Sequence, residues 1–289
     1  MHVSLDHGAR VDLRHGVSVR ERRGAAVARA ADRRCYARCV TERLRVRDLG
    51  RRRYADALAL QREAVERVLS WRADVDRPAG ELLLVEHDPP VITIGRRREA
   101  SAHVVAPAEK LAALGVELVE TDRGGDVTWH GPGQIVAYPI LDLDRLGLRI
   151  HPYMRMLEEC VLSTIAAFGV NGHRDESATG VWVGGDGAVD AAGSNGARAD
   201  TAADARPARK IAAMGVRVSR WVSMHGLALN VENDLSHFGL IVPCGLHGRP
   251  VTSLRAELGD AAPSIERVRS ELVASIERAV DDAINLRRG

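Results

Sequence analysis

The chain has 289 residues, 45% of them hydrophobic and 28% charged, with a net charge of only +2. That composition bounds it to a globular protein of one large or two small domains, and the near-neutral balance argues against a surface built for nucleic acid. No run of about 18 apolar residues is present, so no membrane partner is expected through a spanning helix, and the N-terminus lacks the apolar core of a secretion signal.

Four cysteines, Cys35, Cys39, Cys160 and Cys244, form neither a disulfide framework nor a zinc pattern. A reducing cytoplasm fits them best. Of the 41 basic residues only Lys110 and Lys210 are lysine. Under such an arginine bias, a retained lysine draws attention, because lysine can give up its proton near neutral pH and arginine cannot. Lys110 falls in what reads as a surface helix.

Residues 1–45 are rich in Arg and Ala with broken periodicity and read as a poorly ordered extension. From Arg51 to Ala73, apolar Tyr54, Leu58, Val65, Val68 and Leu69 make one helical stripe. Glu81 to His87 and Val91 to Ile94 read as strands around the Asp88-Pro89-Pro90 turn, the first covered on both faces. Gly95 is followed by Arg96, Arg97 and Arg98, which reads as a solvated loop, with an acidic partner as the alternative. Val116 to Thr121 alternates as a strand does.

Arg123 to Gln134 packs four glycines and a proline among Thr128, His130 and Gln134 before a strand at Ile135 to Ile140. Gly124 and Gly125 allow backbone to approach a ligand. No helix follows and no Gly-Lys-Ser/Thr is present, so it is not the usual phosphate loop; a long glycine-rich hairpin is the plainer alternative. His151 to Phe168 reads as a helix with the stripe Met154, Leu157, Val161, Ile165 and Phe168, and Cys160 inside it as packing. A short strand is expected at Ala178 to Val183. Residues 184–208 have almost no large apolar side chain and read as a disordered insertion at a hairpin tip.

Ordered structure resumes at Lys210, with strand character after Gly215, and Trp221 to Val231 reads as another strand. Cys244 sits between Pro243, which fixes φ, and Gly245, which leaves room beside it. Taken alone, Pro-Cys-Gly is more simply a tight turn around a small buried cysteine. Val251 to Leu258 is a short helix or turn. A last helix opens at Pro263-Ser264, with Ser264 as N-cap and Ile265, Val268, Leu272, Ile276 and Val280 as its buried stripe.

Four motifs then stand in order: Arg123-Gly-Gly-Asp-Val-Thr-Trp-His-Gly-Pro-Gly-Gln134, Lys210 with Met214-Gly215, His225-Gly-Leu-Ala-Leu-Asn230, and Pro243-Cys-Gly245. Together they resemble the octanoyl-acyl carrier protein:protein N-octanoyltransferases, also called lipoyl(octanoyl) transferases, over Arg47 to Leu286. The resemblance implies an α/β (α+β) catalytic domain, 46–289, of the biotin and lipoate protein ligase type, with a mixed, mostly antiparallel sheet flanked by helices. It implies that Cys244 carries the acyl group as a thioester and that Lys210 lowers the thiol pKa and acts as acid and base. Substrate-binding positions carry over to Arg123, Gly124, Gly125, Asp126, Val127, Thr128, Trp129, His130, Ala213, Met214, Gly215, Gly226, Leu227 and Ala228. Trp129 stands where Tyr or Phe is common.

The implied donor is octanoyl-acyl carrier protein. The implied acceptors are lysines on lipoyl domains of 2-oxoacid dehydrogenases and on the glycine-cleavage H protein. No cofactor, metal, nucleic acid or membrane is implied, and a monomer is expected. Three other readings compete: an ATP-dependent lipoate ligase, which needs no cysteine; a cysteine hydrolase pairing Cys244 with His225 or His130; and a scaffold using the Arg-rich N-terminus.

Overall fold

The structure, a computed structural model, describes residues 43–175, 178–185, 207–242 and 249–288. All of them lie in one compact unit, Val40–Gly289. Most of the expected extension (1–42), most of the expected insertion (186–206) and the Pro243–Gly248 segment with Cys244 lie outside the described residues.

A long sheet forms the frame. Its strands are β1 (Arg45–Arg52), β2 (Gly80–His87), β6 (Gln134–Leu141), β7 (Gly172–Arg174), β8 (Val181–Val183), β9 (Arg209–Ser219) and β10 (Val222–Asn230). The order across the sheet is β1-β2-β6-β10-β9-β8-β7. Only β1 and β2 run parallel; the other pairs are antiparallel. A second sheet holds β3 (Val91–Ile94) between β4 (Glu117–Glu120), which is parallel to it, and β5 (Val127–His130), which is antiparallel.

Among the described residues the α-helices are α1 (Tyr54–Trp71), α2 (Ala108–Ala113), α3 (Ile150–Ala166), α4 (Leu254–Leu258) and α5 (Ile265–Arg288). The expected stripe of α5 is buried throughout, and it meets Leu157, Val161 and Ile165 of α3 over one face of the long sheet. Each such side chain taken from water contributes about 1.5–3 kcal/mol. Ser264 Oγ accepts the Arg267 N–H at 3.4 Å and opens α5. Gly169, at φ 81°, closes the end of α3. No described helix is long and apolar enough to cross a membrane.

On the opposite face lies α1, and here the stripe differs from the expected one. Tyr54, Ala57, Gln61, Ala64 and Val68 are buried, while Leu58, Val65 and Leu69 are only partly so. The small alanines let the helix sit close to the sheet. Buried Gln61 accepts the His225 N–H at 2.9 Å, which ties α1 to β10 beside Gly226.

Three strands are absent from the sequence reading: β1, β5 and β7. β1 is a charged edge strand, a type that resists edge-to-edge pairing. Its Arg45 and Arg47, with Arg67 of α1, surround the fully buried Glu81 carboxylate at 3.6, 3.4 and 2.8 Å. Burial works against that charge, but the Arg67 hydrogen bond and the neighbouring guanidinium groups hold its pKa below the ordinary value. The chain is already anchored before β1, because Arg43 donates to Asn285 Oδ1 of α5 at 2.9 Å.

Candidate active site

A cavity of about 470 Å³ opens between β9 and β10 on one side and the Arg123–Thr128 segment and β5 on the other. Its glycines let backbone meet backbone. Gly124 N–H donates to Val216 O at 2.9 Å. A Cβ on Gly215 would lie 2.8 Å from Gly124 O, and one on Gly226 would lie 2.2 Å from Ala137 O. Any larger residue at either position pushes strands apart.

Of the sequence-predicted residues, Lys210, Arg123, Gly124, Gly125, Asp126, Val127, Thr128, His130, Ala213, Met214, Gly215, Gly226, Leu227 and Ala228 all line this cavity. Trp129 does not. Strand alternation turns its ring the other way, where it stacks edge-on with His237 and Phe238 at 5.2 and 5.6 Å. Gly131 leaves room for it, since a Cβ there would lie 2.3 Å from the indole. Cys244 lies outside the described residues.

Lys210 is nearly buried, at 8% exposure. Its Nζ donates to Thr179 O at 3.1 Å and sits 4.7 Å over the Trp182 ring. Gly180, at φ 132°, keeps that space open: a Cβ would lie 3.2 Å from Lys210 Cε. The Lys210 backbone also holds the chain just past the Pro243–Gly248 segment. Lys210 N–H donates to Pro250 O, and Thr252 N–H donates to Lys210 O, both at 2.9 Å. On the near side, Val242 N–H donates to His103 O at 2.8 Å, and His103 Nδ1 bonds to Asp126 Oδ1 of the cavity wall at 2.7 Å.

The histidines of the wall have assigned protonation sites. Gln134 Nε2 donates to Asn230 Oδ1 and Trp129 O, so Gln134 Oε1 accepts and His130 Nδ1 carries the proton in their 2.8 Å bond. Burial drives the His130 pKa well below 6.5, helped by neighbouring His87. Its unprotonated Nε2 faces Thr93 Oγ1 at 3.5 Å. Arg123 donates to Thr93 Oγ1 from Nε at 3.2 Å and Nη2 at 2.9 Å, which leaves the Thr93 hydroxyl proton for His130. His225 bonds to Asp122 Oδ1 at 2.7 Å, and burial lowers its pKa in spite of that carboxylate.

His87 donates from Nδ1 to Arg52 O at 3.2 Å and accepts from Tyr138 OH at 2.7 Å. Its pKa is pushed down to about 4 by burial. Tyr54, Thr93, Tyr138, His225, Ile150 and Met154 also line the cavity, and sequence reasoning assigned none of them to binding. Only His225 carried a signal, as the first residue of the His225–Asn230 motif and as a partner for Cys244 in the hydrolase alternative. Among the described residues no group of three or more metal-ligating side chains occurs.

Residues 53–277 match the family described as "Lipoyl protein ligase A/B catalytic domain". Three curated octanoyltransferases are similar along nearly their whole length. That of Chloroflexus aurantiacus is 44% identical over 81% of this chain and 92% of its own. Those of Parabacteroides distasonis and Flavobacterium johnsoniae are 42% and 38% identical, over 96% and 95% of their lengths and 80% and 81% of this one. Among solved structures, a bipartite lipoate protein ligase of Thermoplasma acidophilum superposes with a TM-score of 0.56 at 17% identity, over 82% of this chain and 83% of that one. Lipoate-protein ligase A bound with ATP gives a TM-score of 0.54 at 16% identity, over 83% and 85%.

Proposed function

The chain belongs to the octanoyltransferase family of the lipoyl protein ligase A/B catalytic-domain class and is an acyltransferase, and from that premise we propose that it moves an octanoyl group from octanoyl-acyl carrier protein to a lysine of a lipoyl domain through a thioester on Cys244. The observation that carries this reading is how the described chain on either side of residues 243–248 is held. Val242 is held through His103 to Asp126, Pro250 and Thr252 directly to the backbone of Lys210, and both Asp126 and Lys210 line the cavity.

An ordinary thiol near pKa 8.5 is only a few per cent thiolate at neutral pH. The Lys210 ammonium favours the thiolate by charge pairing. The thiolate attacks the thioester carbonyl, the acyl–sulfur bond to the carrier breaks, and the departing thiolate takes a proton from Lys210. The acceptor ammonium gives one proton to water, and neutral Lys210 accepts the second as the resulting amine attacks the enzyme thioester. The amide forms, the thiolate leaves, and the starting state returns. One thioester replaces another in the first half, so ATP is not needed.

Backbone N–H groups of the glycine-rich strands are suited to hold the oxyanion. The cavity falls in the range of small-ligand sites, about 300–1,000 Å³, and the small side chains of Ala213 and Ala228 on its wall leave apolar room for an acyl chain. Trp129 acts by packing behind β5 rather than by touching substrate. The acceptors are the lipoyl domains of 2-oxoacid dehydrogenases and the glycine-cleavage H protein, and a cytoplasmic monomer comprising residues 46–289 suffices for the reaction.

Intact-protein mass spectrometry after mixing with octanoyl-acyl carrier protein tests the reading. An octanoyl increment mapped to Cys244, discharged by a lipoyl domain without ATP and lost in Cys244→Ser, is expected. No increment, with transfer appearing only on addition of octanoate and ATP, moves the protein to the ligase chemistry and overturns the role of Cys244.

A further inference from the structure

Exposed arginines on this protein commonly face a carboxylate. Arg53 pairs with Glu117 at 2.5 Å, Arg220 with Glu66 at 2.5 Å and Arg278 with Glu271 at 3.0 Å. Arg96 and Arg98 are also exposed, yet no ion pair or side-chain hydrogen bond joins either to another described residue. Glu99 is the one acid in the run from Gly95 to Ala100. Two guanidinium groups left to water are unremarkable on a floppy loop. This loop is fixed.

Three backbone hydrogen bonds stitch it to the wall of the cavity. Gly95 N–H donates to Asp126 O at 3.1 Å, Arg96 N–H to Arg123 O at 3.0 Å and Arg97 N–H to Gly125 O at 3.1 Å. The approach is so close that a Cβ on Gly95 would lie 2.3 Å from Gly125 O. Arg97 itself turns toward Asp126, 3.6 Å from Oδ2, and lines the cavity. Ile150, half exposed at the start of α3, lines it too. The loop, through Arg97, and the first turn of α3, through Ile150, therefore both border this cavity, one with a basic and the other with an apolar side chain.

Resting on the octanoyl-transfer reading above, we propose that Arg96 and Arg98 form a docking rim for an acidic face of the protein that carries the acyl donor, and that Ile150 supplies the apolar contact beside it. The donor and not the acceptor fits this rim. A donor arm ends in an uncharged thioester, so only its carrier's surface charge meets the arginines. An acceptor brings a lysine ammonium to the same opening, where fixed guanidinium groups oppose it. Rim charges act on encounter more than on chemistry, and their effect fades as salt screens them.

The test uses the full chain and the double variant Arg96→Glu/Arg98→Glu. Neither side chain lines the cavity, and the backbone bonds of the loop do not depend on them. Acyl-enzyme formation is followed by mass with two donors: octanoyl-acyl carrier protein, and octanoyl-N-acetylcysteamine, which has the same thioester and no carrier. The variant is expected to lose about 10- to 100-fold in kcat/KM with the carrier at low salt, to lose little with the small thioester, and to discharge its acyl group to a lipoyl domain at the wild-type rate. The wild-type advantage should shrink as ionic strength rises.

Unchanged loading from the carrier overturns the proposal, as does an equal loss with both donors, which would mean a damaged site. A defect confined to discharge assigns the rim to the acceptor instead and also overturns it. Failure of the wild type to load from either donor overturns the transfer reading itself, and this proposal with it, and is distinguished from the other outcomes by the unmutated control.

Discussion

Replacing His87 with Phe should flatten the acid side of the stability profile. His87 is fully buried among Tyr54, His130 and Tyr138, with its pKa pushed down to about 4 by burial. In the unfolded chain the same group titrates near 6.5. Between those values the unfolded state binds a proton that the native state refuses. Stability is therefore full above about pH 6.5 and is lost as pH falls toward 4. The 2.5-unit gap corresponds to about 3 kcal/mol in all, of which about 2 kcal/mol falls between pH 7 and pH 5. Phenylalanine cannot protonate. It also leaves Tyr138 OH without its 2.7 Å partner, which costs about 1–3 kcal/mol at pH 7. Urea unfolding at pH 7 and pH 5 should then show a clear deficit for the variant at pH 7 that nearly closes at pH 5. His130 remains in both proteins, and burial, the larger cause of its lowered pKa, is common to them. Parallel pH profiles for the two proteins would refute the reasoning.

Three further outcomes are expected. Lys210→Arg keeps a positive charge near Thr179 O but removes the proton acceptor, and the larger head meets the space kept clear by Gly180; acyl loading should persist at a reduced rate while discharge to the lipoyl domain falls by about 100-fold or more, and unchanged turnover contradicts the base role. Gly215→Ala places a methyl 2.8 Å from Gly124 O, so it should destabilise by about 1–3 kcal/mol and impair loading; a fully active, equally stable variant would mean that the two strands part without cost. Joining Gly185 to Pro207 by a short turn, with residues 186–206 removed, should leave kcat/KM within about twofold, because β8 and β9 already pair at Val183 and Arg209 and long surface insertions contribute little to stability; a large loss in the same assay assigns that segment a part in catalysis.

The elements legible in the sequence were those whose pattern answers to one surface. The five apolar positions of α5 face a single buried face, so their spacing was enough. The glycine-rich motifs were legible for a different reason: close backbone approach excludes side chains, and that exclusion is written directly as glycine. β5 was hidden inside such a motif because Val127–His130 becomes a strand only by pairing with Val91–Ile94, a partner more than thirty residues away. β1 was hidden because its arginines answer to Glu81 and to solvent rather than to a core. Tyr54 and Met154 read as members of apolar helix stripes, and a cavity wall is made of the same residue types as a core. Only the tertiary arrangement tells which apolar surface is left unfilled.

The same arrangement accounts for how few reactive groups the site contains. Proline, cysteine and glycine at 243–245 give no geometry by themselves. The chain on either side of them is held in place. Asn230 Nδ2 donates to Thr252 O at 2.9 Å, Asn230 Oδ1 accepts from Gln134, and Gln134 accepts from His130. A continuous buried line of hydrogen bonds thus runs from the cavity wall to the strand that carries Lys210. His130 and Gln134 bear no obvious reactive role, and their placement is explained without one. They hold the chain that leaves the cysteine segment against the lysine strand, as His103 and Asp126 hold the chain that enters it. Net hydrogen-bond contributions of about 1 kcal/mol each are modest for folding. Positioning is another matter, because a shift of about 1 Å between reacting groups costs on the order of 100-fold in rate. On the proposed chemistry of Cys244 and Lys210, the polar residues around this cavity are therefore better understood as its frame than as further participants in it.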